Sequence, residues 1–319
     1  MDFGIFTFNK KNQVMANITA ADVNKLRQTT GAGMMDCKKA LAECSGDIAQ
    51  AADWLRKKGI AAAAKKGSRV AAEGLIALQV DTQNACIVEI NSETDFVAKN
   101  ESFKELASSV LDSITGSSTD NVAELVINGK SCQEAITNSI SVIGENIQLR
   151  RFARVTQESG FIASYLHNSV SDYLGRIGVL ISINCDKITD EARLLGKQIA
   201  MHIAASKPVA AKAEDVPADL VAKEREIFID QAKSSGKPAE IIEKMVEGRV
   251  RKYYQEVVLV EQPFVIDGKT PIKDIISNFE KSHNCKFTID NFVCYEVGEG
   301  IEKAADDFAS EVQSIASSS

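Results

Sequence analysis

One string of residues occurs twice in this chain, and the repeat constrains the fold more than any other feature. Val126-Ile127-Asn128-Gly129-Lys130-Ser131 returns as Val265-Ile266-Asp267-Gly268-Lys269-Thr270. Each copy runs into a short helical pattern, Cys132 to Ile136 and Pro271 to Ile275. Upstream, Gly74-Leu75-Ile76-Ala77 is echoed by Gly160-Phe161-Ile162-Ala163. A duplicated α+β unit accounts for both echoes. Hairpin-like strands open each copy, over 74–90 and 160–184. A helix follows near 100–111 and 190–205, and a strand closes each, Asn146 to Val155 and Cys285 to Val297. The echoes lie much farther apart in the second copy, which therefore carries an insertion.

The insertion occupies residues 208–255. Ala218–Ser234 and Ala239–Gln255 are amphipathic patterns joined by Ser235-Gly236-Lys237-Pro238, so they predict an antiparallel helical hairpin. Leu220, Glu224, Ile227 and Gln231 mark one face of the first helix. Ile241, Met245 and Arg249 lie along the second, with Ile242, Val246 and Val250 beside them. Narrow apolar stripes and heavy charge predict a projection rather than a layer over the sheet.

Ahead of the duplication, Thr19 with Asp22 makes a capping box. Gly31-Ala32-Gly33 breaks the chain, Met34 to Cys44 forms a second helix, and Asp47 caps a third that ends with Gly59 in the C′ position. The chain thus divides as follows: a disordered extension over 1–14, a three-helix ubiquitin-associated-like module over 15–59, and a polar linker over 60–70. Core repeat 1 follows over 71–155 and core repeat 2 over 156–297. A C-terminal helix and tail over 298–319 begin near Gly300, with Ile301, Ala304, Ala305, Phe308 and Val312 on one face.

Composition narrows the function. The net charge of −7 argues against a general nucleic-acid binder. Seven scattered cysteines without a CxxC pair suit reduced thiols and a cytoplasmic location. No apolar run is long enough to span a membrane. Walker A, GxGxxG, GxSxG and HExxH patterns do not occur, and His167, His202 and His283 lack metal spacing. No catalytic residue, metal or cofactor is therefore expected. Cys37, beside Lys38 and Lys39, has the setting of an activated thiol, but an inert helix cysteine fits better without a paired histidine. His202, in an apolar helical stretch, reads as a core or interface histidine. Met34 and Met35 suit an adaptable contact surface, with one side chain inward and one outward.

The strand Ala85 to Ile90 ends in Asn91-Ser92-Glu93-Thr94-Asp95-Phe96-Val97-Ala98-Lys99. Beyond it, Phe103, Leu106, Ala107, Val110 and Leu111 are spaced for one helix face. Phe96 stands seven positions before Phe103 and can share that face, with Thr94 or Asp95 as a mere cap. Alternatively, Phe96 beside a carboxylate at a strand-to-helix corner is a wedge against a partner. Spacing leaves the two readings even. Two other function classes stay open on the residues alone. A ubiquitin-like or RNA-binding adaptor would rest on the three-helix module and Lys65, Lys66 and Arg69. A thiol enzyme would rest on Cys37.

Longer strings resemble the bacterial elongation factor Ts family. They are the whole of Lys25 to Leu41, then Thr94 to Lys99, Gly144-Glu145-Asn146-Ile147, and Gly175 to Leu180. His202 to Pro208, Gly236-Lys237-Pro238, Glu243 to Arg249, and Glu296 to Lys303 continue the likeness. It covers nearly everything from Met15 onward. The resemblance implies a guanine-nucleotide exchange factor without catalytic chemistry of its own. Its implied partner is elongation factor Tu, GDP-bound and nucleotide-free, with no direct nucleic acid and no membrane. It implies that the N-terminal module and first repeat face the partner's GTPase domain, and that the second repeat faces its third domain. The last helix would reach back to the GTPase domain. The family's Thr-Asp-Phe-Val element, which helps dislodge the partner's Mg²⁺, falls on Thr94, Asp95, Phe96 and Val97 and favours the wedge. Lys25, Arg27, Gly33, Met34 and Met35 are the implied partner contacts of the module. His167 is the candidate in a turn longer than the family's compact one.

Overall fold

A computed structural model describes residues 18–233 and 238–302. The predicted extension, most of the hairpin turn and the chain beyond Glu302 lie outside the described residues. Three helices open the fold: α1 (Ala20–Thr30), α2 (Met34–Glu43) and α3 (Ile48–Lys66). Thr19 and Asp22 form the capping box and Asp47 caps α3. Val23, Leu26, Cys37, Ala40, Leu41, Ala51 and Leu55 fill a small core between them.

Gly59 does not end α3, which runs on to Lys66. Ala61 to Ala64 are strong helix formers, and the glycine serves packing instead. A Cβ there would lie 3.1 Å from Ser141 Oγ. The missing side chain lets α3 pack closely on α6 (Cys132–Ile143). Part of the expected linker is therefore helical, and Lys66 at its end donates to the Gly144 carbonyl.

The first copy contains β1 (Glu73–Asp81), β2 (Asn84–Ser92), α4 (Asp95–Ala98), α5 (Glu101–Thr115), the small hairpin β3 (Val126–Ile127) and β4 (Lys130–Ser131), then α6 and β5 (Gln148–Thr156). The second contains β6 (Gly160–His167), β7 (Leu174–Gly175), β8 (Ile177–Cys185), α7 (Asp190–Ser206), α8 (Ala218–Lys233), α9 (Ala239–Val257), α10 (Ile272–His283) and β9 (Phe287–Glu296). The strands form two main antiparallel sheets, one ordered β5-β2-β1-β7 and the other β6-β8-β9.

Successive side chains in a strand face opposite ways, and here both faces are covered. In β1, Leu75 and Ala77 pack with α5 and α6, while Ile76 and Leu78 face the second sheet. In β8, Val179, Ile181 and Ile183 pack with α7 and α10, while Leu180 faces the first sheet. The result is an α+β fold in which two sheets lie back to back with helices outside each. This double burial explains strands that read as nearly unbroken apolar runs. His202 sits in the outer helical layer of the second copy. It bridges Gln262 (2.8 Å) and the Val265 amide (3.1 Å), and burial lowers its pKa.

The backbone repeats along with the sequence. Gly74 pairs with Asn91 and Gly160 with Asn184. Both glycines have positive φ (132° and 149°), and a Cβ at either would lie within about 2 Å of a carbonyl across the pair, Ile90 and Ile183 respectively. Only glycine fits there. Register irregularities also recur, between Glu89 and Ile90 and between Ser182 and Ile183. The small hairpin is less faithful. Where the first copy has β3–β4, the second has an isolated antiparallel bridge between Pro263 and Pro271, and Val265 to Thr270 forms a turn in which Asp267 accepts from the Lys269 and Thr270 amides.

The register makes Glu89 the counterpart of Ser182, and both side chains are buried. Ser182 accepts a bond from Gln157. Glu89 is a fully buried carboxylate with four donors: the Gly298 amide (2.8 Å), Arg150 (2.9 Å), Arg151 (2.6 Å) and Asn91 (3.1 Å). Burial pushes its pKa up, but these donors, led by Gly298, outweigh burial and hold it below the ordinary value. Arg151 also reaches Glu299 (2.9 Å), and Arg150 reaches the Glu299 carbonyl (2.5 Å). Gly300 has φ 71° and Gly300 to Glu302 are not helical. The predicted terminal helix therefore does not start at Gly300.

α8 and α9 pack mainly on each other, with Ala232 and Val246 buried and Arg249 over the Phe228 ring. α9 also meets the turn at Leu259–Glu261. The buried stripe of α9 follows Ile242, Val246 and Val250, and Ile241 is exposed. At the base, Ala210, Val216 and Val258 form a buried cluster.

Two outcomes follow from this architecture. The lowered pKa means Glu89 stabilises the fold above the ordinary carboxylate range, and that contribution is lost as pH falls through the native value. Glu89→Gln is expected to cost about 3 kcal/mol near neutral pH. Its loss of stability towards about pH 3.5 should be shallower than the parent's, as read by denaturant melts at both pH values. Replacing 219–254 with a short Gly/Ser link should keep a cooperative thermal transition by circular dichroism, since closing a loop costs little. Cutting at 208 and 255 instead removes Ala210 and Val216 from the basal cluster and should lower Tm by about 5 °C or more.

Candidate functional site

β2 delivers the chain to its corner with Asn91 and Ser92 buried. Ser92 Oγ donates to the Thr94 carbonyl (3.0 Å). Thr94 is the N-cap of α4, and its hydroxyl does not bond back into that helix. It donates instead to Glu145 Oε1 (2.6 Å), and its amide donates to Glu145 Oε2 (2.9 Å). Val97 and Ala98 pack into the first core. Asn100 then takes an extended conformation and caps α5 through the Ser102 amide (2.9 Å).

That break decides the position of Phe96. In one continuous helix Phe96 would share a face with Phe103. With the chain interrupted at Asn100, Phe103 is fully buried and Phe96 is 76% exposed. Lys99 completes the corner. Its ammonium lies 3.0 Å from Asp95 Oδ2 and 5.6 Å from the Phe96 ring centroid. The hydrogen bond from Lys99 lowers the Asp95 pKa. The tip of the corner thus presents an ionised carboxylate, an ammonium and a bare aromatic ring.

Behind the tip, the Asn146 amide donates to Glu93 Oε1 (2.6 Å) and the Asn146 side chain to the Arg69 carbonyl (2.7 Å). Arg69 lies 3.4 Å from Glu93 Oε2. The corner is therefore tied to the chain segment that leaves the helical module.

The other candidates lie elsewhere. Lys25 and Arg27 are exposed on α1, and Gly33 is the exposed N-cap of α2. Met34 and Met35 are both outward, at 54% and 77% exposure, against the expected split. The inward stripe of α2 begins only at Cys37, with Ala40 and Leu41. Cys37 is fully buried, and its thiol points to the Ala32 carbonyl (3.6 Å). His167 ends β6, exposed, with Nδ1 3.1 Å from Tyr165 Oη. The long turn after it supplies β7, which pairs with β1 of the other sheet.

The family model for elongation factor TS matches residues 93–299. The match starts at Glu93 in the corner and stops at Glu299, the carboxylate held by Arg151. Curated proteins named elongation factor Ts are similar along nearly all of the chain. That of Rhodospirillum centenum is 50% identical, covering 95% of this chain and 100% of its own length. Those of Sphingopyxis alaskensis and Brucella anthropi are each 47% identical, covering 95% and 94% of this chain and 99% of their own lengths.

The chain belongs to the elongation factor Ts family.

Its role accordingly lies in translation elongation. Among the described residues no helix is long and apolar enough to cross a membrane. Reading the residues missed Glu145 and Asn146 as parts of the corner, and gave Glu93 no partner in it. Gly144-Glu145-Asn146 does stand out as a polar triplet between a helix and a strand, but nothing local connects it to Thr94.

An exposed Phe96 and a buried Phe103 make opposite demands on stability. Phe96→Ala is expected to leave the thermal midpoint within about 2 °C of the parent. Phe103→Ala should cost about 3–5 kcal/mol by chemical denaturation.

Proposed function

We propose that the chain is a guanine-nucleotide exchange factor for elongation factor Tu, and that its corner drives GDP release by disturbing the partner's Mg²⁺ site. The observation that carries this reading is the bare Phe96 ring beside Asp95 on an anchored corner. Mg²⁺ demands near-ideal octahedral geometry. A ring inserted beside the nucleotide pocket can shift a ligand or phosphate enough to weaken that geometry. Thr94 fixes the entry of the corner, Asp95 supplies charge, Phe96 is the wedge and Val97 roots it in the core. Such chemistry needs no nucleophile, metal or cofactor on this chain.

Exchange is a coupling between two ligands of one partner. The factor must bind the nucleotide-free form better than the GDP-bound form, and the effect is reciprocal. A ten-thousandfold weakening of GDP requires about 5.5 kcal/mol of differential binding. Burying one Phe contributes about 2 kcal/mol, so Phe96 alone falls short. Lys25, Arg27, Gly33, Met34 and Met35 on the module, and His167 on the second sheet, are the surfaces we assign to the rest. Exposed paired methionines suit a contact that must persist while the partner changes shape. A partner of this kind places the chain in the cytoplasm.

Phe96→Ala is expected to slow release of a fluorescent GDP analogue from elongation factor Tu by about 10–30-fold in stopped flow. A folded Phe96→Ala protein that releases GDP at the parental rate would rule the wedge out.

A further inference from the structure

Four residues are too few for a stable isolated helix, so the direction in which α4 aims Phe96 must be set from outside it. Val97 and Ala98 seat its inner side in the core. Burial of two small side chains fixes depth, and the Ser92 hydroxyl donates to the Thr94 carbonyl (3.0 Å). The bidentate constraint is the Glu145 carboxylate, with one oxygen on the Thr94 hydroxyl (2.6 Å) and the other on the Thr94 amide (2.9 Å). Two charge-assisted bonds from one planar group define orientation as well as distance.

Glu145 is itself held. It follows Gly144, the left-handed cap of α6, whose carbonyl accepts from Lys66 at the end of α3. It precedes the buried Asn146, which bonds to both Glu93 and Arg69. Among the described residues Glu145 makes no ion pair. Both of its oxygens bond Thr94.

We propose that Glu145 is a positioning residue for Phe96: it locks the α4 corner in the orientation needed for exchange. The proposal rests on the reading of Phe96 as the exchange element. It also gives the helical module a part in aiming that element, because α3 ends on the same turn that carries Glu145.

The test compares the full-length parent, Phe96→Ala, Glu145→Ala and Glu145→Gln in exchange of fluorescent GDP on elongation factor Tu. Since an ångström of misplacement can cost orders of magnitude, Glu145→Ala is expected to lower kcat about 10-fold, with KM for the partner nearly unchanged. Glu145→Gln keeps an oxygen for the Thr94 amide and should recover most of the lost rate. Amide hydrogen exchange at Thr94 should quicken in Glu145→Ala, even in the free protein. A parental kcat in Glu145→Ala alongside a slow Phe96→Ala overturns the proposal and leaves the wedge standing. A raised KM with unchanged kcat also overturns it, because Glu145 would then be an ordinary contact. Parental exchange by Phe96→Ala removes the wedge reading and this proposal with it. If Glu145→Ala does not melt cooperatively, Glu145→Asp decides. It keeps the charge on a side chain one methylene shorter and should be slow, and a parental kcat there overturns the proposal.

Discussion

The two copies are tied together at one carboxylate that water does not reach. An uncompensated ionised group in such a place would cost several kcal/mol. Glu89 is compensated by donors from three separate parts of the chain: its own strand through Asn91, the closing strand of the first copy through Arg150 and Arg151, and the end of the second copy through the Gly298 amide. None of these can move away without stranding the others. Glu299 then uses Arg151's remaining capacity, and Tyr295 offers its ring to the same guanidinium at 4.1 Å. The interface between the two sheets is apolar through its middle, where Ile76, Leu78, Ile87 and Leu180 meet. Such contacts attract without specifying register, and the Glu89 cluster specifies it.

The duplication clarifies why this arrangement is one-sided. Ser182 stands where the first copy has Glu89, with the same neighbouring irregularity in the strand pairing. A serine needs one partner there and finds Gln157. The two copies share a backbone plan down to Gly74 near the start of β1 and Gly160 at the start of β6. They diverge where each has a separate task. One copy carries the exposed corner, and the other carries the helical pair between α7 and α10.

What could be read from residues was what is local or repeated. Caps at Thr19 and Asp47 announce their helices because the bonds span three residues. The echoed strings announce the duplication. Gly59 was misleading because its reason is tertiary: a glycine that stops a helix and one that admits Ser141 look alike in one dimension. Pairing of β7 with β1 had no signal, since two residues carry no period. The corner itself was legible, but the exposure of Phe96 was not. That depended on whether Asn100 continued the helix or restarted it. Glu145 was invisible as a partner of Thr94 because hydrogen-bond partners far apart in sequence leave no spacing to recognise.

The strand β7 also bears on how the chain must be made. β1 lies next to the edge of its sheet, and the neighbour that covers it, Leu174–Gly175, belongs to the other copy. During synthesis the helical module can assemble as soon as it emerges. The first sheet keeps Ile76 and Ala77 of β1 as an open edge until residue 175 is free, and the charged cluster stays open until Gly298 arrives. An uncovered apolar strand is a template for pairing with other chains. A ribosome stalled after β1 has emerged and before residue 175 is free would therefore hold a nascent chain with that edge open and its cover not yet in place.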